Sequence, residues 1–391
     1  MLIATSGSDH RNTETAIDQA VTSLKRELSA PDFILVYHTQ DHDGEEVRRK
    51  LTQHFPHSTL LGCTSSRGVL DNQAYYANPA LALWGCSDPD GAFGSAINHY
   101  YAGQAFQTAQ RSIKEAIEQS GRLGELPSLV LLHATPGDEE EIIAGIESVI
   151  GTSVPILGGS AADENIAGRW SILNEHQSLN KGIAIAAIYP NCEISLSFHS
   201  GYAATQYSAV ATAVENREVI ELNGRPAADV YLEWMQATHS DLDSDFFSDA
   251  GMHPLGRAVG EINGMAYYKL SHPFEITHRR GIRLFAGINQ DERVYFMTGT
   301  QERLIKRAGK VIDSALGVGC TNLPVGGIAF YCAGCMLQVE EKLPQVGRFM
   351  YTAMHEMPFI CPFTFGEQGQ FIGGENAHGN LMISAVLFHR E

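Results

Sequence analysis

Residues 31–66 read PDFILVYHTQDHDGEEVRRKLTQHFPHSTLLGCTSS, and residues 127–162 read PSLVLLHATPGDEEEIIAGIESVIGTSVPILGGSAA. Both open on Pro and an apolar, β-rich run, and both reach a histidine, His38 and His133. Five residues on comes an Asp, Asp43 and Asp138, with Glu46 and Glu141 three further. Each block closes on Leu-Gly and small polar residues. The histidines and the aspartates lie 95 residues apart, the closing glycines 96. Such self-similarity marks one supersecondary unit used twice.

The pattern within each block predicts strand, helix, strand. Strands are expected at 33–38 and 58–63, then at 128–133 and 154–158. Asp43 with Glu46, and Asp138 with Glu141, have capping-box spacing. Val47, Leu51 and Phe55 form one apolar helix face, and Ile142, Ile146, Val149 and Ile150 the other. Strands joined through a helix lie most economically in parallel. A third, weaker copy is expected near the end of the chain. PVGGIAFYC (324–332) places Cys332 where the two histidines fall, and Gly366-Glu367 is expected at the Leu-Gly position.

Around these units the chain predicts strands at 79–85, 92–100, 168–174, 181–188, 193–199 and 207–213, with a helix at 104–119. Asn223-Gly224 is a turn signal and Pro226 suits a helix start. Residues 238–252 read as a polar loop. Strands follow at 264–270, 274–278, 282–288 and 293–298, then a helix at 301–315. The expected class is α/β: two domains, 1–218 and 219–391, with mixed sheets of repeated strand–helix–strand units plus antiparallel hairpins.

Lys and Arg number 27 against 45 for Asp and Glu, a formal charge of −18. That balance, with no basic patch, argues against nucleic acid and anionic membranes. No apolar run is long enough to span a bilayer, so no membrane insertion is expected. Seven dispersed cysteines and no basic-then-apolar leader suit a reducing, cytoplasmic setting.

His38, His133 and Cys332 end predicted strands, where ligands of open α/β sheets bind. A histidine there has two possible roles, ligand contact or a bond to a neighbouring carbonyl. Gly62-Cys63-Thr64-Ser65-Ser66 and Gly158-Gly159-Ser160 are small polar segments that suit either a close backbone approach to a ligand or a tight turn. Neither is a phosphate loop. Cys332-Ala-Gly-Cys335 lacks the second pair a zinc site needs. Glu367, with Asn376, His378 and Asn380 behind it, could read an ammonium or amide.

GCTSSRGVL (62–70), LGGSAADE (157–164), ELNGRPAADVYLEWM (221–235), HPLG (253–256), FYCAGC (330–335) and FGEQG (365–369) resemble the FIST sensory proteins across nearly the whole chain. Cys335 stands where that family often has Arg. The resemblance implies an intracellular sensor of small ligands such as amino acids, signalling to a histidine kinase or other output protein. The expected ligand site joins His38, Cys63, Thr64, Ser65, His133, Gly159, Ser160, Cys332, Glu367 and Asn380. With no output segment attached, the signal is expected to pass to a separate partner. Two alternatives stand beside it. One is a haem-binding nitric-oxide sensor. The other is an enzyme with Cys63 or Cys332 as nucleophile and His38 or His133 as base.

Overall fold

The computed structural model describes residues 1–238, 246–262, 264–317 and 322–390. The chain forms three copies of one unit, the third being the weaker one expected near the end of the sequence. The first is β1 (Leu2–Ser8), α1 (Thr13–Glu27), β2 (Phe33–His38), α2 (Gly44–His54), β3 (Thr59–Thr64), the hairpin β4 (Gly68–Asp71) and β5 (Tyr75–Ala77), and β6 (Leu81–Ser87). The second repeats the order: β7 (Ala92–Asn98), α3 (Ala105–Gln119), β8 (Leu129–Ala134), α4 (Glu139–Ile150), β9 (Ile156–Gly159), the hairpin β10 (Ile172–Asn174) and β11 (Ser178–Leu179), and β12 (Ile183–Tyr189).

The third unit opens with β13 (Ile194–Ser200) and is then interrupted. The insertion carries β14 (Ala203–Glu215), β15 (Glu218–Leu222), β16 (Arg225–Pro226), α5 (Ala227–Thr238), α6 (Phe246–Met252), β17 (Leu255–Ile262), β18 (Met265–Ser271), β19 (Pro273–Ile276), β20 (Ile282–Leu284) and β21 (Arg293–Thr298). The unit resumes with α7 (Gln301–Leu316), β22 (Pro324–Cys332), α8 (Ala333–Gln338), α9 (Leu343–Ala353), β23 (Phe359–Thr364), the hairpin β24 (Glu367–Gln370) and β25 (Asn376–Gly379), and β26 (Met382–His389).

Each unit builds most of one sheet and lends its hairpin to another. The sheets run β1-β6-β2-β3-β10-β11, β7-β12-β8-β9-β24-β25 and β13-β26-β22-β23-β4-β5. In each, the two strands flanking the unit's crossover are parallel, β2 with β3, β8 with β9, and β22 with β23. Strands on either side of residue 218 therefore share sheets, and residue 218 itself opens β15 inside the insertion.

The inner faces of the three sheets meet in one apolar core that includes Phe33, Leu35, Leu129, Leu131, Ile328, Phe330 and Trp84. The outer faces are covered by α1 and α2, by α3 and α4, and by α7 and α9. Both faces of each central strand are thus buried, which explains continuous apolar runs rather than alternation. The insertion has its own sheet and a core around Tyr231, Trp234, Leu255 and Phe296.

Several expectations change in detail. The polar stretch expected as a loop over 238–252 contains helix α6, while 239–245 lie outside the described residues. Gly366-Glu367 falls beyond the end of β23, at the start of the lent hairpin, not at the Leu-Gly position. Asp43 caps α2 by accepting the Glu46 N–H at 2.8 Å. Asp138 holds the same place before α4 but makes no cap bond; its carboxylate takes Lys181 Nζ at 3.0 Å instead.

The two histidines are not equivalent. The Thr39 N–H reaches the Ala80 carbonyl and the Thr135 N–H the Gly182 carbonyl, so the strands correspond at an offset of 96. The connection from strand to helix is one residue shorter in the second unit, which accounts for the 95 between the aspartates. His133 therefore matches Tyr37, not His38. One residue of slip turns a side chain to the opposite sheet face. Tyr37, His133 and Phe330, one from each unit, meet in the common core with ring centroids 5.4, 6.2 and 5.7 Å apart.

Candidate functional site

The site lies where β22 gives way to α8, under the insertion. A cavity of about 280 Å³ opens there. Cys332, Ala333, Gly334, Gly366, Asn380 and Glu139 line it from the three-unit body, and Arg217, Phe247, His272 and Phe285 from the insertion. Its walls are mostly apolar, with Ile166, Leu337 and Phe365 completing them.

One end of the cavity is charged. Glu139, the first residue of α4, is buried. Its carboxylate accepts Arg217 Nη2 at 2.6 Å, Ser160 Oγ at 2.8 Å and the Gly137 N–H at 3.0 Å. Burial alone would raise its pKa. Arg217, His378 and the Ser160 hydroxyl outweigh burial and leave the carboxyl at about 2. Arg217 also binds Glu140.

Cys332 is 4% exposed. The N–H groups of Leu381, Gly334 and Gly366 point at its sulfur, and Glu367 sits beside it. Burial nevertheless lifts the thiol above its ordinary range, with the Glu367 charge adding to the effect. Its place has a counterpart in each unit: Thr39 Oγ1 accepts the Ala80 N–H at 3.0 Å, and Thr135 Oγ1 the Gly182 N–H at 3.1 Å. Cys332 is the sulfur version of a threonine that ties strand end to strand start. Glu367 is fully buried, accepts Thr364 Oγ1 at 3.0 Å and the Met382 N–H at 3.2 Å, and is raised by burial.

His272 adds an unpartnered group. Its backbone N–H donates to Asn380 Oδ1 at 3.2 Å, while its buried Nε2 has no protein partner. Burial lowers its pKa to about 4, so the ring is neutral at pH 7. Asp163 shapes the opposite wall. Its carboxylate collects the N–H groups of Asn165, Ile166, Ala167 and Arg169 at 2.5–3.2 Å. That nest holds Ile166 at φ +57°, a conformation rare for a β-branched residue.

Of the residues singled out in the sequence, Cys332 and Asn380 line the cavity. Ser160 and Glu367 stand one contact behind, on Glu139 and Cys332. The others lie elsewhere. His38 Nδ1 meets the Thr39 carbonyl at 3.0 Å. His133 Nδ1 meets the Gly159 carbonyl at 3.0 Å and its Nε2 the Tyr37 hydroxyl at 3.1 Å. Cys63 is packed in the common core. Thr64 Oγ1 accepts the Ser171 N–H and Ser65 Oγ the Phe363 N–H, so both brace lent hairpins. Arg217, Glu139, His272 and the phenylalanines were not singled out. None carries a local signal: Glu139 is one of three acidic residues in the first turn of α4, where acidic residues are common.

Residues 32–225 match the FIST N domain and residues 227–370 the FIST C domain. The chain belongs to the FIST family. FIST domains are associated with sensory signal transduction. The FIST chain is also 25% identical over 242 residues to an uncharacterized protein of Methanocaldococcus jannaschii, covering 56% of this chain and 45% of that protein. It thus spans under half the length of that relative. Two solved structures are similar at low level. A cyanuric acid hydrolase from A. caulinodans has TM-score 0.41 and 8% identity, over 100% of this chain and 99% of that one. A chorismatase has TM-score 0.35 and 11% identity, over 92% and 93%. Among the described residues of the FIST chain, no helix is long and apolar enough to cross a membrane. Nor does any group of three or more His, Cys, Asp or Glu there suit a metal ion.

A haem does not suit this cavity. Pockets for drug-sized ligands begin at about 300 Å³, and a haem macrocycle is larger than such ligands, whereas the space beside Cys332 and His272 is about 280 Å³.

Proposed function

We propose that this FIST protein is a sensor that binds a compact small molecule, an amino acid, in the cavity beside Cys332 and passes the signal to a separate output partner. The observation that carries this reading is the lining itself. A small, mostly apolar space ends in the buried Glu139–Arg217 pair and holds the unpartnered His272 Nε2. A zwitterion could exchange its carboxylate onto Arg217 and its ammonium onto Glu139, with its side chain against Phe247, Phe285 and Leu337. The volume favours compact ligands over extended ones. Because residues of both the three-unit body and the insertion line the space, a ligand that prefers one arrangement of the two would shift their equilibrium.

Isothermal titration against a panel of amino acids tests this. The expected result is saturable binding of one member, lost in Arg217→Gln. Absence of heat from every member at millimolar ligand would remove the amino-acid reading.

A further inference from the structure

A second cavity, of about 870 Å³ and predominantly polar, lies on the far side of Arg217, lined by residues that include Arg257, Lys269, His378 and Asn289. We propose that it holds a small oxyanion group, phosphate or carboxylate, on Arg257 and Lys269.

Arg257 and Lys269 are direct cross-strand partners in the β17–β18 ladder. Like charges placed opposite each other on one sheet face are destabilising. These two are also withdrawn from water: Arg257 is 6% exposed, and the Lys269 side chain 19%. Buried cations need buried counter-charge.

The protein supplies little of it. Arg257 reaches Glu292 only at 3.4 Å, and Glu292 already accepts the Asn289 N–H at 2.8 Å and Asn289 Nδ2 at 3.1 Å. The second Arg257 contact is the neutral Ser271 hydroxyl at 3.2 Å. Lys269 meets Glu375 at 3.3 Å, and that carboxylate is 52% exposed, where an ion pair contributes little. Arg257 Nε is buried with no partner. A guanidinium with a free Nε beside an ammonium is the geometry that takes an oxyanion through charge-assisted bonds.

The rest of the lining decides where the anion sits. Asp138, Glu140, Glu141, Glu215 and Glu218 also face the cavity, with Arg217, Arg279 and Arg283 among them. Arg217 is committed to Glu139 and Glu140, Arg279 to Glu215 and Glu218, and Arg283 to Glu275. Arg217 and Arg279 are each shared by two carboxylates, so this part of the wall keeps surplus negative charge and would direct an anion towards Arg257 and Lys269. Arg257 is left with an unmet donor, its Nε, and Lys269 with a single, half-exposed carboxylate. His378 lines the same cavity, and its buried Nε2 has no hydrogen-bond partner and lies 4.0 Å from Glu139. Burial, then Glu139, Glu140, Arg217 and Lys269, act on the ring, so its response is assigned to this cavity by its loss in Lys269→Gln.

The test uses the full chain and two probes, inorganic phosphate and malonate, each against sodium chloride of matched ionic strength. Expected are a saturable rise in melting temperature and a saturable shift of the His378 ring protons in the NMR spectrum. The preferred probe distinguishes phosphate from carboxylate recognition. Lys269→Gln should weaken the apparent affinity about tenfold, the effect of one lost charged bond, while Lys310→Gln, far from the cavity, leaves it unchanged. Should Arg257→Gln fail to fold, Lys269→Gln and the His378 titration still decide. Equal responses to both probes and to chloride, or an unaltered response in Lys269→Gln, would overturn the proposal. Amino-acid binding beside Cys332 is read separately, since it depends on Arg217 and not on Lys269.

Discussion

The Tyr37 hydroxyl lies 3.1 Å from His133 Nε2, and the two residues hold the same place in consecutive units. Since His133 Nδ1 meets the Gly159 carbonyl, that nitrogen carries the proton and Nε2 accepts from Tyr37. Both groups are buried. Tyr37→Phe should therefore destabilise by about 1–3 kcal/mol, the cost of a stranded polar atom. Adding His133→Phe should recover part of that loss. Urea denaturation of the two single variants and the double variant measures the coupling, and strict additivity would contradict the pairing.

Acid should act in two stages. His38, His133 and His272 are each lowered to about 4 by burial, each against the opposing effect of a backbone bond, to Thr39, Gly159 and Phe247. Their unfolded forms take up protons near pH 6.5. Stability should thus be full above pH 6.5 and fall as pH drops from there towards 4, by up to about 1.4 kcal/mol per pH unit per histidine. Glu139, held at about 2, contributes stability present above its unfolded value near 4.5 and lost as pH falls towards 2. Denaturation midpoints between pH 8 and 5 check the first stage. A flat profile would show that the histidines do not stay neutral.

Gly366 has φ +88°, and an added Cβ would run into the His378 ring. Gly374 has φ +86° with open space around it. Gly374→Ala should cost about 1–2 kcal/mol for the left-handed backbone alone. Gly366→Ala should cost more, because the clash adds to the same backbone term. Thermal melts of the pair separate the two, and equal losses would mean that His378 yields freely.

Cys332 faces the cavity with its thiol raised by burial. At pH 7.5 its iodoacetamide alkylation, followed by mass spectrometry, should run slower than that of free cysteine. A faster rate would mark a thiolate and favour a nucleophilic role.

Helices and strands were legible because apolar spacing and caps survive in each unit, and even the third copy at 324–332 could be placed. What the sequence hid was parity. FILVYH and LVLLHA are buried on both faces, so no polar alternation shows which residues point inward, and matching His38 to His133 by identity put them one residue out. The 96-residue spacing of the opening prolines, Pro31 and Pro127, and of the closing glycines carried the true register. The site was half legible for a related reason. Cys332 and Asn380 sit at strand and turn boundaries that sequence can mark. Arg217, Phe247, His272 and Phe285 reach the cavity only because the insertion folds back over it, a tertiary placement with no local signature.

The lent hairpins also govern when the molecule can finish folding. β4 pairs with β23, hundreds of residues downstream, and β9 pairs with β24 further on still. A nascent chain released as far as residue 218 would hold the first sheet complete, the second with an open edge at β9, and the hairpin β4–β5 with nothing to lie against. Closure of so many distant pairings makes folding slow, and until the last strands emerge the exposed edges are open to aggregation. The ribosome must deliver the chain to residue 379 before the second wall is complete and to residue 389 before the third, while the first is complete at residue 179.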